Sequence, residues 1–364
     1  MCYTRPMKKV RYIDLFCGIG GFHLGAERAL ANRGLESECV FASDIDPEAR
    51  KMYAANFGLI AAGDIKQVAA SEIPDHEVLF AGFPCQPFSI IGSSKGFEDT
   101  RGTLFFDIAR ILDLKRPAAF VLENVKRLAS HDNGRTLSRI LETLDALGYS
   151  HSHRILNALD FGLPQKRERI LIVGFRDNRS ISWPLAPVPM APLSEILERR
   201  VDAKHFASDH IRLRRLEQCS PGAEPTIWHE NKAGHISSYP YSCALRAGAS
   251  YNYLLVDGLR RLTPREMLRL QGFPDTYKTV CNDSQVRKQA GNAVAVPVVT
   301  AVMERVIDAM NWSGLYSANL DQARLQYSMV IENQQICQNL ASEQQIKYPR
   351  PTRSASSRKK PSTA

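Results

Sequence analysis

Val78-Leu79-Phe80-Ala81-Gly82-Phe83-Pro84-Cys85-Gln86-Pro87-Phe88-Ser89 sets a short apolar run directly before a loop stiffened by two prolines. An apolar run of this length ending at a glycine reads as a buried strand, and the prolines bar strand and helix beyond it. Cys85 therefore lies on a rigid loop at a strand's carboxyl end, where open α/β sheets place their chemistry. Most lone cysteines are inert, buried, small hydrophobes, so this one is a candidate nucleophile only if its surroundings supply the rest of a site.

Further apolar runs recur on both sides, at Val10 to Phe16, Cys39 to Ala42, Ala118 to Leu122 and Ile170 to Phe175. Between several of them, Phe22 to Arg33, Pro47 to Phe57, Leu104 to Leu114 and Thr136 to Leu147 repeat apolar residues at three- and four-residue spacing, which predicts helices. Strands alternating with helices imply an α/β fold with a parallel sheet covered on its faces. After Asn178 the pattern lapses: Pro184, Pro187, Pro189 and Pro192 crowd together, and little periodicity follows until Thr263-Pro264, which reads as an N-cap and first helical position. A last helix is predicted over Pro297 to Met310. This gives a catalytic domain of residues 1–183 plus 285–312, a small irregular domain of residues 184–284, and an extension, residues 313–364, rich in Gln, Ser and Asn and then basic.

At 364 residues and 44% hydrophobic content the chain can build one large core and a smaller one. No stretch approaches the roughly 20 apolar residues that span a bilayer. The segment Met1 to Arg11 lacks the apolar core of a signal peptide, so a cytoplasmic protein is expected. The eight cysteines (Cys2, Cys17, Cys39, Cys85, Cys219, Cys243, Cys281, Cys337) form no Cys-x-x-Cys pair, which argues against zinc and against a disulfide framework. The net charge of +9 favours a polyanionic partner, but Lys347, Arg350, Arg353, Arg358, Lys359 and Lys360 lie in the last 18 residues; without them the balance is +3.

Three more segments carry chemistry. Asp14-Leu15-Phe16-Cys17-Gly18-Ile19-Gly20-Gly21-Phe22 is a glycine-rich turn opening a helix, which lets backbone N–H groups approach a ligand. It is not a strict G-x-G-x-x-G, which disfavours a dinucleotide. Asp44, 23 residues after Gly21, suits ribose hydroxyls, and Asp64, followed by Ile65, suits an adenine amine. Together these suggest a nucleoside cofactor without phosphates. Glu123-Asn124-Val125 ends the fourth strand beside the third, so thiol and carboxyl would share one cleft. Gln165-Lys166-Arg167-Glu168-Arg169 precedes the last strand, where alternation can turn one arginine inward.

The ordered set DLFCGIGG, GFPCQPFS, ENV, QKRERI, RRLTPREMLRLQGFP and QAGNAV, over about Lys9 to Met310, resembles the DNA cytosine-5 methyltransferase family of the bacterial restriction-modification type. The resemblance implies a class I, Rossmann-like methyltransferase sheet and S-adenosyl-L-methionine as cofactor, with no metal. Phe16 would stack on the adenine, Asp44 would hold the ribose, and Asp64 and Ile65 would lie near the base. Gly18, Gly20 and Gly21 would let the methionine part approach, Ile45 would stand beside the adenine where some relatives place a bulky aromatic, and Pro84 and Asn292 would complete the pocket. Cys85 would attack carbon-6 of a cytosine flipped out of double-stranded DNA, Glu123 would hold or protonate ring nitrogen 3, and Arg169, with Arg167, would steady thiol, carboxylate or ring oxygen.

Ser89 to Gly102 would form a lid. Residues 184–257 would recognise DNA, with Arg199, Arg200, Lys204, Arg212, Arg214 and Arg215 and the aromatics Trp228, Tyr239, Tyr241, Tyr251 and Tyr253 as candidates, while Ala244-Leu245 stands where relatives carry Thr-Leu. A monomer is expected, with a cognate restriction endonuclease as a functional rather than physical partner. A family branch acting on tRNA has a shorter recognition region. A non-catalytic DNA binder would have no need to keep Cys85, Glu123 and Arg169 together.

Overall fold

The computed structural model describes residues 9–84, 104–184 and 187–312; Cys85 and the expected lid over Ser89 to Gly102 lie outside the described residues. The strands are β1 (Lys9–Leu15), β2 (Glu36–Ser43), β3 (Val78–Gly82), β4 (Ala119–Val125), β5 (Ser150–Asn157), β6 (Gln165–Lys166), β7 (Glu168–Phe175), β8 (Ile227–Glu230), β9 (Ile236–Tyr239), β10 (Ser242–Cys243) and β11 (Leu254–Val256). The helices are α1 (Gly21–Asn32), α2 (Pro47–Phe57), α3 (Leu104–Lys115), α4 (Arg135–Ala146), α5 (Leu193–Ile196), α6 (Asp209–Leu216), α7 (Pro264–Leu270), α8 (Asp283–Asn292) and α9 (Val296–Met310).

Six strands form one sheet in the order β2-β1-β3-β4-β7-β5. Only β7 runs against its neighbours. This is a mixed, mostly parallel sheet, as the resemblance implies. Alternation sorts its side chains. Val10, Tyr12, Phe80, Val121, Leu171 and Val173 face α1 and α9, whereas Ile13, Leu79, Phe120, Leu122, Ile170 and Ile172 face α3 and α4. Both faces are therefore buried, which is why these strands read as continuous apolar runs. Strand β5 escapes that reading: Ser150-His151-Ser152-His153-Arg154 is polar because β5 is an edge strand, bonded only to β7 and partly exposed.

Beyond the sheet, β8, β9 and β11 pair as a small antiparallel sheet. Its core continues through Leu245, Leu262, Leu268, Phe273 and Val286 to Ile19 of the glycine turn. Helices α6 and α8 appear where sequence periodicity was weak, since most of their residues are polar and one face of each meets water. Helix α7 starts as expected, with a capping box between Thr263 and Glu266.

Candidate active site

The chain leaves β1 through Phe16, held at φ 56°, a left-handed conformation that is strained for a bulky residue and marks functional turns. The turn is tied to β2 by the Cys17 N–H, which donates to the Ser43 carbonyl at 2.9 Å. The Asp44 carboxylate accepts the N–H groups of Gly18 and Asp46, each at 2.8 Å. Asp46 caps α2 and accepts from Lys288 and Gln289 of α8, both at 2.8 Å.

The three glycines of the turn have different tasks. Gly18, at φ 54°, would point a Cβ into open space, whereas a Cβ on Gly20 would lie 2.1 Å from the Phe57 ring and one on Gly21 2.7 Å from Val294. Gly18 leaves room for a ligand; Gly20 and Gly21 make room for the protein itself. Ile45 stands 72% exposed above this cradle. Asp64 caps the turn Ile65–Gln67, accepting from the Lys66 N–H at 3.1 Å. Ile65 points into the core against α3, and its carbonyl accepts from Arg110 at 2.6 Å.

Beneath the turn lies a group to which the sequence reading gave no role. Asp14 is wholly buried with only the His23 backbone N–H drawing on its carboxyl, and the neighbouring Ser43 Oγ lacks a hydrogen-bond partner among the described residues. Burial, then the nearby Asp44 charge, pushes the Asp14 carboxyl well above its ordinary range. The strained turn with open space over Gly18 leaves room for a ligand beside the Asp44 carboxylate. The only sequence signal was an acidic residue closing an apolar strand.

The second half of the site is built by register. Glu123 pairs across β4 with Gly82 of β3 and Leu171 of β7. Arg169 lies diagonally opposite on the same face, within reach of a long side chain. Its Nε donates to Glu123 Oε1 at 2.8 Å, with the two side chains 18% and 12% exposed. Burial pushes the Glu123 carboxyl up, against the opposing pull of Arg169 and Arg167. A Cβ on Gly82 would sit 3.6 Å from Glu123 Oε2 and 3.9 Å from Val294, the residue that also covers Gly21. Val294 thus forms a wall shared by the cradle and the carboxylate. Pro84, exposed, ends the described part of the strand-loop junction.

Arg167 is placed elsewhere than the expected contact with the reacting groups. It is 2% exposed and donates to the carbonyls of Leu245 at 3.1 Å, Gly291 at 3.1 Å and Ala293 at 2.7 Å. Its guanidinium joins the start of β7 to the Ala244-Leu245 segment and to the end of α8, a positioning task. Gln165 supports the same joint, accepting the Leu245 N–H at 3.0 Å and donating to the Leu270 carbonyl at 2.7 Å. The backbone at Ala244-Leu245 is therefore gripped although the hydroxyl of Thr is missing. The exposed Asn292 side chain makes no hydrogen bond among the described residues, while Arg167 holds the carbonyls on either side of it.

Gly291 has a demand of its own: a Cβ there would lie 2.5 Å from the Ala247 nitrogen and 2.8 Å from the Arg246 carbonyl carbon. Backbone cannot rotate aside. Gly291→Ala is expected to cost about 1–3 kcal/mol by overpacking and to displace the 246–247 segment; an unchanged thermal midpoint would show that the joint yields freely.

Two other residues escaped the sequence reading. Asn124, 2% exposed, donates from Nδ2 to the Phe83 carbonyl at 2.9 Å and fixes the strand end that leads to Cys85. Asn124→Ala strands that carbonyl at a cost of about 1–3 kcal/mol. With Cys85 as the nucleophile, kcat should fall by about tenfold or more with a smaller change in KM; an equal change in both would remove this positioning role. Tyr277 donates from its hydroxyl to the Ile19 carbonyl at 2.8 Å, clasping the glycine turn from the far end of the chain.

The expected DNA-facing residues divide. Arg215 and Trp228 are wholly buried, and Arg215 pairs with Glu230 at 2.9 Å. Arg214 also pairs with Glu230, Arg212 pairs with Asp209, and Lys204 with Asp283 at 2.8 Å. Arg199 and Arg200 are exposed. Tyr239 and Tyr241 stack at 5.2 Å, Tyr251 lies under Arg287 at 4.2 Å, and Tyr253 is buried.

Residues 10–233 and 217–308 match the family model described as C-5 cytosine-specific DNA methylase. The Type II methyltransferase M.NgoBI of Neisseria gonorrhoeae is 56% identical over 292 residues, covering 79% of this chain and 90% of that protein. M.HaeII of Haemophilus aegyptius, also a Type II methyltransferase, is 52% identical over 308 residues, covering 84% and 95%. Among solved structures, the S. pombe Dnmt2 methyltransferase superimposes with a TM-score of 0.64 at 22% identity, over 83% of this chain and 99% of that one, a likeness of fold.

Proposed function

Because this chain belongs to the C-5 cytosine-specific DNA methylase family, we propose that it methylates carbon-5 of one cytosine in a short duplex word, as the modification half of a restriction-modification system. The activity, DNA cytosine-5 methyl transfer, follows from the family and from the Type II relatives. The mechanism rests on one observation above all: a buried carboxyl, Glu123, held at 2.8 Å by Arg169 and packed against Gly82, three residues before Cys85.

Cytosine carbon-5 is a poor nucleophile. The Cys85 thiolate adds to carbon-6, and the electron pair displaced from the carbon-5–carbon-6 double bond makes carbon-5 nucleophilic. Glu123, whose carboxyl is pushed up by burial, holds or gives a proton at ring nitrogen 3 as that charge develops. Arg169 orients Glu123 and stabilises its charged form once the proton is given. S-adenosylmethionine, when bound, supplies the electrophilic methyl group. Gly18 leaves space for it, Phe16 and Ile45 offer apolar surface, and Asp44 and Asp64 offer acceptors. Loss of the carbon-5 proton and expulsion of Cys85 restore the ring. A stacked base cannot reach these groups, so the nucleotide swings out at a cost of a few kcal/mol.

In this reading residues 1–183 and 285–312 bind cofactor and catalyse, residues 184–284 read the word, and one chain suffices. Its DNA substrate places it at the nucleoid in the cytoplasm. The test is transfer of labelled methyl from S-adenosylmethionine to unmethylated duplex, followed by sequencing for 5-methylcytosine. Label at one word is expected. A folded, cofactor-binding protein that labels only tRNA, or nothing, would overturn the proposal.

A further inference from the structure

Most basic side chains that the sequence offers for DNA are already neutralised. Lys204, Arg212, Arg214 and Arg215 each have a carboxylate partner within the protein. Arg199 and Arg200 are exposed with no acidic partner among the described residues, and so are cations outside that group, of which two flank the segment that Arg167 holds. Lys166 and Arg246 are exposed and have no acidic partner among the described residues.

Strands β6 and β10 bring them together. Lys166 pairs in register with Cys243, and Arg246 follows Cys243 by three residues. Between them the Leu245 backbone is bound on both sides, its N–H by Gln165 at 3.0 Å and its carbonyl by Arg167 at 3.1 Å. Arg246 is further held: its N–H donates to the Tyr253 hydroxyl at 3.0 Å and its guanidinium carbon lies 4.7 Å over the Tyr253 ring, while the bare Gly291 lets its backbone pack closely against α8. A cation stacked on an aromatic ring and fixed through its backbone loses little freedom on meeting an anion. Both residues adjoin Arg167, two positions from the Arg169–Glu123 pair.

We propose that Lys166 and Arg246 form a grip on the backbone phosphates of the DNA strand that carries the target cytosine, beside the extruded nucleotide. The proposal rests on the reading of this site as a cytosine methyltransferase and names its phosphate contacts. Two unneutralised cations of different shape, a point charge and a planar fork, suit a sequence-independent anion better than a base edge.

The test is binding of the full chain to a duplex carrying its methylated word and to a scrambled duplex, over a salt series, for K166Q, R246Q and the control R212Q, each checked for folding by circular dichroism. K166Q and R246Q should each reduce the slope of log affinity against log salt by about one, equally on both duplexes, leaving the methylated word unchanged. R212Q, whose charge is spent on Asp209, should keep the parental slope. Parental slopes in K166Q and R246Q would overturn the grip. So would a loss in R246Q confined to the cognate word, which would make Arg246 a base reader. Parental chain that binds DNA with this salt dependence but deposits no methyl would refute the proposed function while leaving the grip intact.

Discussion

Cys85→Ala is expected to abolish methyl transfer while leaving duplex binding in place. In the proposed mechanism the thiol adds to carbon-6, and among the described residues near it Glu123 is tied to Arg169 while burial raises the Cys243 and Cys281 thiols, so neither is a ready thiolate. Deleting a covalent nucleophile can cost on the order of 10⁶-fold in rate, below the background of a labelled-methyl assay. The decisive readout is adduct formation. A duplex with fluorine on cytosine carbon-5 cannot lose the proton that normally precedes release, so the parent protein should stay attached through denaturing electrophoresis and the Ala variant should not. An adduct in Cys85→Ala, or full turnover, would remove Cys85 from the chemistry.

Glu123→Gln is expected to lower kcat by about 10²–10⁴-fold, the range for losing a positioned general acid. Glutamine preserves the shape and can still hydrogen-bond ring nitrogen 3, so cofactor binding and folding should change little. The pH profile gives the sharper test. Burial raises the Glu123 carboxyl, so the protonated form persists further toward neutral pH than for an exposed glutamate. As pH rises through that raised value the proton is lost, and a step that needs it slows on the alkaline side. The Gln variant should lack that limb. An identical alkaline limb in both proteins would assign it to another group and leave Glu123 an electrostatic role only.

Much of the fold was legible because strand alternation and helix spacing are local. Val78 to Gly82, Ala119 to Val125 and Ile170 to Phe175 carry their burial on both faces in the residue order, and the capping box at Thr263 and Glu266 is a contact between near neighbours. Strand β5 was missed because an edge needs few apolar residues, and α8 because only part of its surface is covered. The site was legible in residue type rather than in assignment. QKRERI announced two arginines, but nothing in their spacing said that Arg169 meets Glu123 while Arg167 is spent on three carbonyls up to 126 residues away. Likewise the turn announced its glycines, yet only the packed chain distinguishes Gly18, open to a ligand, from Gly20, filled by Phe57.

The sequence by itself determined the α/β class, the ordered motifs and hence the family and the chemistry, because each is encoded within a few neighbouring residues. Tertiary structure alone decided which charges are spent: Arg212 and Arg214 on carboxylates, Arg167 on carbonyls. Charge pairing and desolvation act through space between residues distant in the chain, and no local pattern records them.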